Sequence, residues 1–418
     1  MSLCNYVLKQ NSKMKGMKKG VLIIAIGVLL SNGLFAQKME GNLSRADVVK
    51  IDVKTLPAKK AKLKAKDPLA VAAYDKLIKD ANELLKYAPV SVMDKKAFPP
   101  SGNKHDYMSI GPYWWPDTSK PGGVPYIQKD GQINPEVHDF TDKENLPTLC
   151  ENVYTLALAY YFSNDEAYAK HITQLMQVWF LDTATKMNPN LNYAQAVKGR
   201  FEGRPEGLID TRHFIYMLDG IQLLKTSKSW TPQKDAALKQ WFSQFLVWMN
   251  TSKNGTGECN AKNNHGVWFD AQNLAVALYV DSTELANKIV TRSISRLDKQ
   301  MNDDGFFPEE LKRTTSLHYS AFIMNAFNII AVLSDKTNTS LWTATTPSGK
   351  SFKKGLDALT PYLMKDKEWT GKEIRPFNFQ DAYPLLLRDA DRYNCPNCLE
   401  AIQKLAGEKY QSLLLNLL

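Results

Sequence analysis

Gly266-Val267-Trp268-Phe269-Asp270-Ala271-Gln272-Asn273-Leu274-Ala275-Val276-Ala277-Leu278-Tyr279-Val280 carries apolar residues at three- and four-residue spacing and reads as a helix. The same spacing returns along most of the chain. Helices are expected over 146–162, 165–180, 210–225, 232–250, 282–301, 317–333, 350–362, 381–393 and 398–414; Leu285, Ile289 and Ile294 show the pattern in one of them. The loops between are mostly short, so neighbours should run antiparallel. Strand signals are sparse, and no repeat is strong enough for a solenoid. The expected fold class is all-α: an incomplete α/α toroid or barrel of antiparallel helical hairpins. Two longer loops interrupt it, 187–209 and 302–316.

Upstream, Pro68 opens a helix expected over 69–87, with Leu77, Ile78, Leu84 and Leu85 at helical spacing. Between it and the helical series lies 88–144, a long segment rich in Pro, Gly and aromatics. It contains Pro99-Pro100-Ser101-Gly102, Lys104-His105-Asp106-Tyr107, Gly111-Pro112-Tyr113-Trp114-Trp115-Pro116 and Lys129-Asp130-Gly131-Gln132. No helix is expected there, and an irregular stretch of this length inside a folded protein is usually functional. Residues 37–67 are lysine-rich and read as a partly extended lead-in. Residues 1–36 read as a secretory leader: Lys18-Lys19, an apolar run from Val21 to Leu30, and a small residue, Ala36, at the expected cleavage point. The run is too short for a comfortable membrane span. The organisation expected is leader 1–36, lead-in 37–67 and one catalytic domain 68–418, with the mature protein secreted or periplasmic and without a membrane span.

The chain has 418 residues, 44% hydrophobic and 23% charged, which is the composition of a globular protein and not of a disordered one. Its net charge is +10, but residues 1–36 hold five lysines and no acid, so the remainder carries +5. That balance suits a polyanionic ligand. No basic arm, helix-turn-helix or zinc-finger pattern supports nucleic acid. Cys395-Pro396-Asn397-Cys398 reads as a local disulfide in an oxidising compartment, since no second pair or thioredoxin-like pattern accompanies it. Cys150 and Cys259 are far apart and read as thiols.

The chemistry concentrates at the start of the first-quoted helix, where Asn263-Asn264-His265 precedes Gly266, and in Glu309-Glu310-Leu311-Lys312-Arg313-Thr314-Thr315-Ser316-Leu317-His318-Tyr319. Together these offer an amide, an imidazole, a guanidinium and a phenol. That set can neutralise a carboxylate and move a proton. Eliminating the C4 oxygen of a uronate requires taking the weakly acidic C5 proton, and the neighbouring carboxylate must first be neutralised. Asn, Arg or protonated His do this by hydrogen bonds and charge. A base and an acid complete the reaction, and Tyr serves as both where a cation lowers its pKa. Each residue also has an ordinary reading. His265 and Tyr319 suit a core, Arg313 suits a helix cap or a pair with Glu309 or Glu310, and one of Asn263 and Asn264 suits an N-cap. Trp114 and Trp115, between prolines, are expected to line a groove where sugar C–H faces stack on indoles.

Other chemistries find less support. Asp303-Asp304 and Glu309-Glu310 offer glycosidase-type carboxylates, but such pairs are commonly solvated. There is no G-x-S-x-G elbow, P-loop or H-E-x-x-H. The six histidines are scattered, so no metal site or cofactor is expected.

An ordered set of short motifs resembles the alginate lyase superfamily of polysaccharide lyases, families five and thirty-eight. It runs Ser101-Gly102-Asn103-Lys104-His105-Asp106-Tyr107, Tyr113-Trp114-Trp115-Pro116-Asp117, Asp130-Gly131-Gln132-Ile133-Asn134-Pro135-Glu136, Asn190-Leu191-Asn192-Tyr193-Ala194-Gln195-Ala196, Asn263-Asn264-His265-Gly266, Asp304-Gly305 and Arg313-Thr314-Thr315-Ser316-Leu317-His318-Tyr319-Ser320. The resemblance implies an incomplete α/α toroid around a groove or tunnel, and β-elimination of polyuronates leaving a 4,5-unsaturated uronate. It implies that Asn264, His265 and Arg313 neutralise the C5 carboxylate. Tyr319 would take the C5 proton and return one to the C4 oxygen, as suits β-D-mannuronate. For α-L-guluronate His265 would be the base and Tyr319 the acid. Lys104, His105, Tyr107, Trp114, Trp115, Tyr126, Asn192, Gln195, Arg204 and Arg212 are expected to bind substrate. The expected partner is an acidic polysaccharide, mannuronate-rich alginate first. Glucuronan, which shares mannuronate's geometry at C4 and C5, is the alternative, and a non-catalytic polyuronate-binding protein is the second.

Overall fold

Helices of two kinds build the molecule, a computed structural model that describes residues 50–418 apart from Ala97. The leader expected over 1–36 and the start of the lead-in lie outside the described residues. In chain order the helices are α1 Leu56–Lys64, α2 Pro68–Leu84, α3 Asp142–Ser163, α4 Glu166–Met176, α5 Phe214–Leu223, α6 Pro232–Thr251, α7 Lys253–Cys259, α8 Asn264–Tyr279, α9 Thr283–Gln300, α10 Pro308–Leu311, α11 Ser316–Ser334, α12 Phe352–Leu363, α13 Tyr383–Tyr393 and α14 Cys398–Ala406.

One kind is buried on nearly every side. In α8 this covers Asn264, Gly266 to Ala277 and Tyr279; in α3 and α11 it covers most positions from the second turn onward. A helix buried all round must sit between neighbours. Accordingly α3, α5, α8 and α11 pack in succession as the inner layer. The other kind buries one stripe. In α9 that stripe is Ala286, Ile289, Val290, Ser293 and Leu297, and in α12 it is Phe352, Leu356, Leu359 and Leu363. These one-faced helices lie on the outside: α4 on α3, α9 on α8, α12 on α11. The result is the all-α toroid expected from the spacing. Helix α11 has the length and apolar character of a membrane span, but 83% of its most apolar window is buried inside the protein.

Aromatic packing fixes one wall. Phe180, Phe214, Trp241, Phe242 and Phe245 form one cluster, with Trp241 stacked on Phe245 at 5.4 Å between centroids. Each such side chain contributes about 1.5–3 kcal/mol by leaving water. Helix α9 is also pinned to α8 by charge: Arg292 and Arg296 both reach the buried Asp270 at 2.7 Å. Removing either partner would strand a buried charge.

The structure corrects several boundaries. Within the partly extended lead-in expected over 37–67, residues 50–67 are tied into the fold. They contain α1, and Lys50 forms a buried ion pair with Asp219 of α5 while its carbonyl accepts from Arg388 of α13. The segment 88–144 contains short strands. β1 Met108–Ile110 pairs in parallel with β4 Tyr193–Ala196, and β2 Trp114–Trp115 pairs antiparallel with β3 Ile127–Gln128. Its last residues already belong to α3, which starts at Asp142 and continues through Pro147. The helix expected over 210–225 starts only at Phe214, because Pro205–Thr211 forms tighter 3₁₀ turns. Helix α7 was not expected. The cysteine pair is a disulfide, Cys395–Cys398, while Cys150 and Cys259 are free.

Candidate active site

The first corner of the site is the N-terminus of α8. Asn263 caps it, its side chain accepting from the His265 N–H at 3.2 Å. Asn264 thereby becomes the first helical residue, with a backbone N–H that no turn of helix can satisfy. Glu310 of α10 satisfies it. Its carboxylate accepts from the Asn264 N–H at 2.6 Å and from Asn264 Nδ2 at 2.8 Å. Glu310 is fully buried, and burial raises its carboxyl above the ordinary range despite the two bonds from Asn264. His265 points the other way. Its Nδ1 lies 2.7 Å from Glu258 Oε1, and its Nε2 has no hydrogen-bond partner among the described residues. Burial alone would lower the imidazole, but the Glu258 carboxylate outweighs burial and holds it above its usual value. Only glycine fits at 266, where a Cβ would stand 2.3 Å from the Ala261 carbonyl oxygen.

The second corner is the link from α10 into α11. The Arg313 guanidinium lies over the Tyr319 ring, 3.6 Å from its centroid. It also grips Asp130, with Nε donating at 3.1 and 3.2 Å to the two carboxylate oxygens and Nη2 donating to one of them. Thr314 adds its backbone N–H at 3.2 Å and its hydroxyl at 3.0 Å to the same carboxylate. Burial alone would raise Asp130, but these bonds outweigh it and hold its carboxyl below the ordinary range. The turn that delivers Asp130 needs Gly131: its φ is +73°, and a Cβ there would meet Thr314 Oγ1 at 2.5 Å. The Tyr319 hydroxyl is 2.9 Å from that of Tyr113. Burial first, then Tyr113, push the phenol well above its usual range, while Arg313 pulls the other way.

The corners meet at Glu310, which binds Asn264 and feels the charges of both His265 and Arg313. Helices α8 and α11 pack directly against each other. The four residues that sequence singled out are therefore brought together. Burial keeps the proton on Tyr319, with the Arg313 guanidinium over its ring and the Asn264 amide and His265 imidazole on the adjoining helix α8.

The expected substrate contacts divide. Trp114 and Trp115 are half-buried on β2. Arg200 and Arg204 lie over Trp114 at 5.4 and 5.7 Å, and Lys129 over Trp115 at 5.0 Å. Arg204 also donates to the Gln195 carbonyl and to its Oε1 at 2.8 Å. Arg212 lines a recess of about 110 Å³ with Trp268, His318, Phe322 and Asp381. Asn192 is exposed and accepts from Trp248 Nε1 at 2.9 Å.

Others are corrected. Tyr107 is fully buried, its hydroxyl donating at 3.2 Å to buried Asp210, so it is a core residue. Gln195 is 4% exposed and spends its amide on Asp210 and Arg204, so it acts on the groove through Arg204. Tyr126 is buried with its hydroxyl on Glu136 at 2.9 Å. Lys104 and His105 stay half-exposed, while Lys104 reaches the Met93 carbonyl and His105 Nδ1 the Lys186 carbonyl, which ties this turn to the scaffold.

Sequence reading missed the partners. Glu310 belonged to a pair expected to be solvated, and Glu309 is exposed while Glu310 is buried. Arg313 pairs with Asp130 and not with either glutamate. Tyr113 and Asp130 stood inside the quoted motifs without a role, and Glu258 stood in a stretch read as loop.

Against known proteins, the family model described as alginate lyase matches residues 91–369. The crystal structure of an alginate lyase from Bacteroides ovatus superposes with a TM-score of 0.82 at 38% identity, covering 90% of this chain and 99% of that one. A histidine-to-alanine variant of alginate lyase A1-III, from Sphingomonas species A1 and complexed with a tetrasaccharide, superposes with a TM-score of 0.51 at 16% identity, covering 80% and 90%; this second likeness concerns the fold. No curated protein sequence matches the chain.

Proposed function

Because the chain belongs to the alginate lyase family and is a polysaccharide lyase, we propose that it cleaves mannuronate-rich alginate by β-elimination. The observation that carries this reading is the Arg313 guanidinium 3.6 Å over the Tyr319 ring, with Asn264 and His265 on the adjoining helix. His265 Nε2 and Arg313 neutralise the C5 carboxylate, with Asn264 adding the Nδ2 hydrogen that Glu310 does not hold, so that negative charge left by the C5 proton delocalises into it. Tyr319 takes that proton and returns one to the C4 oxygen. A phenol held protonated at rest must first release its proton to solvent water; the phenolate, stabilised by the Arg313 cation, then takes the C5 proton and passes it to the C4 oxygen.

The raised phenol favours a second reading. A protonated Tyr319 is already a general acid, and His265 serves as the base once its Nε2 is bare. That division of labour suits guluronate, whose C5 hydrogen and C4 oxygen lie on opposite sides. Glucuronan shares mannuronate's geometry and remains an alternative substrate, and binding of a polyuronate without cleavage is the non-enzymatic alternative.

Purified protein mixed separately with polymannuronate, polyguluronate and glucuronan tests all of these through the ultraviolet absorbance of the unsaturated product. The fastest rise is expected on polymannuronate. Absorbance that stays flat on all three would sink the lyase reading for these polymers. We also assign residues 1–36 as a leader for export. N-terminal sequencing of the exported protein should begin near Gln37; retention of Lys18-Lys19 would refute the assignment.

A further inference from the structure

Behind His265 stands an acid that the reaction just described does not use. Glu258 occupies the last turn of α7, is 1% exposed, and offers Oε1 to His265 Nδ1 at 2.7 Å. Its Oε2 is buried without a hydrogen-bond partner among the described residues. An ionised carboxylate buried with so little support is costly unless its one partner justifies it. The backbone around it is equally committed. Ser252 caps α7 by accepting from the Gly255 N–H, and a Cβ at Gly255 would strike the Met249 carbonyl oxygen at 1.9 Å. The short helix is held where it delivers Glu258 to the imidazole.

We propose that Glu258 is a positioning residue for His265: it accepts the Nδ1 hydrogen, fixes the tautomer and the ring plane, and leaves Nε2 as the nitrogen that meets the sugar. A carboxylate on one ring nitrogen sets what the other can do. With Nδ1–H occupied, only Nε2 gains or loses a proton. Protonated, it donates to the C5 carboxylate; bare, it is a base. The charged groups around it are Glu258 from α7, Glu206 and Arg204 from the 3₁₀ turn and its cap, and Glu310 from α10. Of these, Glu258 alone is in contact, and it has the larger effect in holding the imidazole above its usual range. His265 therefore governs an alkaline limb of activity if its imidazolium is needed, as for mannuronate. It governs an acid limb if its free base is needed, as for guluronate. The limbs rest on the lyase reading; the tautomer does not.

Glu258→Gln keeps an acceptor oxygen for Nδ1–H and removes the charge. The His265 limb of kcat/KM should move to lower pH by about one unit or more, since an opposite charge at this range shifts a pKa by roughly 1–3 units. On an alkaline limb each unit lowers kcat/KM about tenfold at fixed pH. An unmoved limb in a folded variant overturns the proposal. Nitrogen NMR of the imidazoles in the wild-type protein tests it without substrate, with His265 identified by its loss in His265→Asn. The expected signature is a neutral Nδ1–H tautomer and a titration above about 6.5. An Nε2–H tautomer overturns the proposal, as does a titration at or below that value. The expected tautomer in a protein that cleaves none of the three polymers would uphold it while removing the lyase reading.

Discussion

Asn264 and His265 are held by acids of the helical scaffold, Glu310 and Glu258, which stand 46 and 7 residues away in sequence. Arg313 and Tyr319 are held by Asp130 and Tyr113, 183 and 206 residues away in the irregular segment. The first pair of partners is buried and burial raises their carboxyls. In the second, hydrogen bonds hold the half-exposed Asp130 below its usual range. One half of the site is therefore finished by the fold of the toroid. The other is finished only when the aromatic ribbon reaches across and grips it. Carboxylate neutralisation by Asn264 and His265 should survive loosening of the ribbon, and proton transfer at Tyr319 should not.

The largest effect that tests this contrast is Tyr319→Phe. Oligosaccharide binding should persist while kcat falls by about 10²–10⁴ for each proton-transfer role lost. Turnover near that of the wild type would remove Tyr319 from the reaction. Next comes Asp130→Asn, which takes the charge from the hydrogen bonds that hold Arg313 against the ring. A charge-assisted bond contributes about 1.5–3 kcal/mol, so kcat/KM should drop roughly 10- to 100-fold. An unchanged value would mean that the ribbon does not support this half. Tyr113→Phe removes one neutral hydrogen bond and should cost kcat less than about tenfold, with the Tyr319 phenol released toward its usual range. Steady-state kinetics reads all three.

The smallest effect is a pair of opposite pH dependences in thermal melts. Asp130 has a lowered folded pKa, so its contribution is present above its unfolded value and is lost as pH falls through the folded one. The melting gap between wild type and Asp130→Asn should close in acid. His265 has a raised folded pKa, so its contribution is full below its unfolded value and is lost as pH rises through the folded one. The gap to His265→Asn should close on the alkaline side. Gaps that close in the same direction would erase the distinction between the two halves.

Most of the scaffold was legible because a helix writes its contacts into its own spacing. The apolar positions of α8 and α12 predict both elements, and the residue type puts an N-cap at Asn263 or Asn264, of which the structure uses Asn263. Asn264, His265, Arg313 and Tyr319 stand out by residue type and by the resemblance of their motifs, not by spacing; that α8 and α11 pack together is a fact of the fold. The partners of these four residues were not legible. Glu310 and Glu309 are identical in type and adjacent, and only the packing of α10 buries one and exposes the other. Tyr107 and Gln195 were misjudged for the complementary reason. A polar residue in an irregular segment looks like a ligand contact until the fold shows the buried Asp210 that both of them serve. Short strands such as β1 and β4 have too few residues to show alternation, and their pairing across 85 positions is a tertiary fact.

The site carries its own counterions. Glu258 and Asp130 face the two cations, His265 and Arg313, so added salt finds those charges already paired. The exposed cations Lys129 and Arg200 stand above the tryptophans. Ionic strength screens such exposed groups and leaves buried pairs nearly untouched. Capture of a polyanion and its chemical cleavage are thus separable by salt: KM should climb as sodium chloride is added while kcat holds.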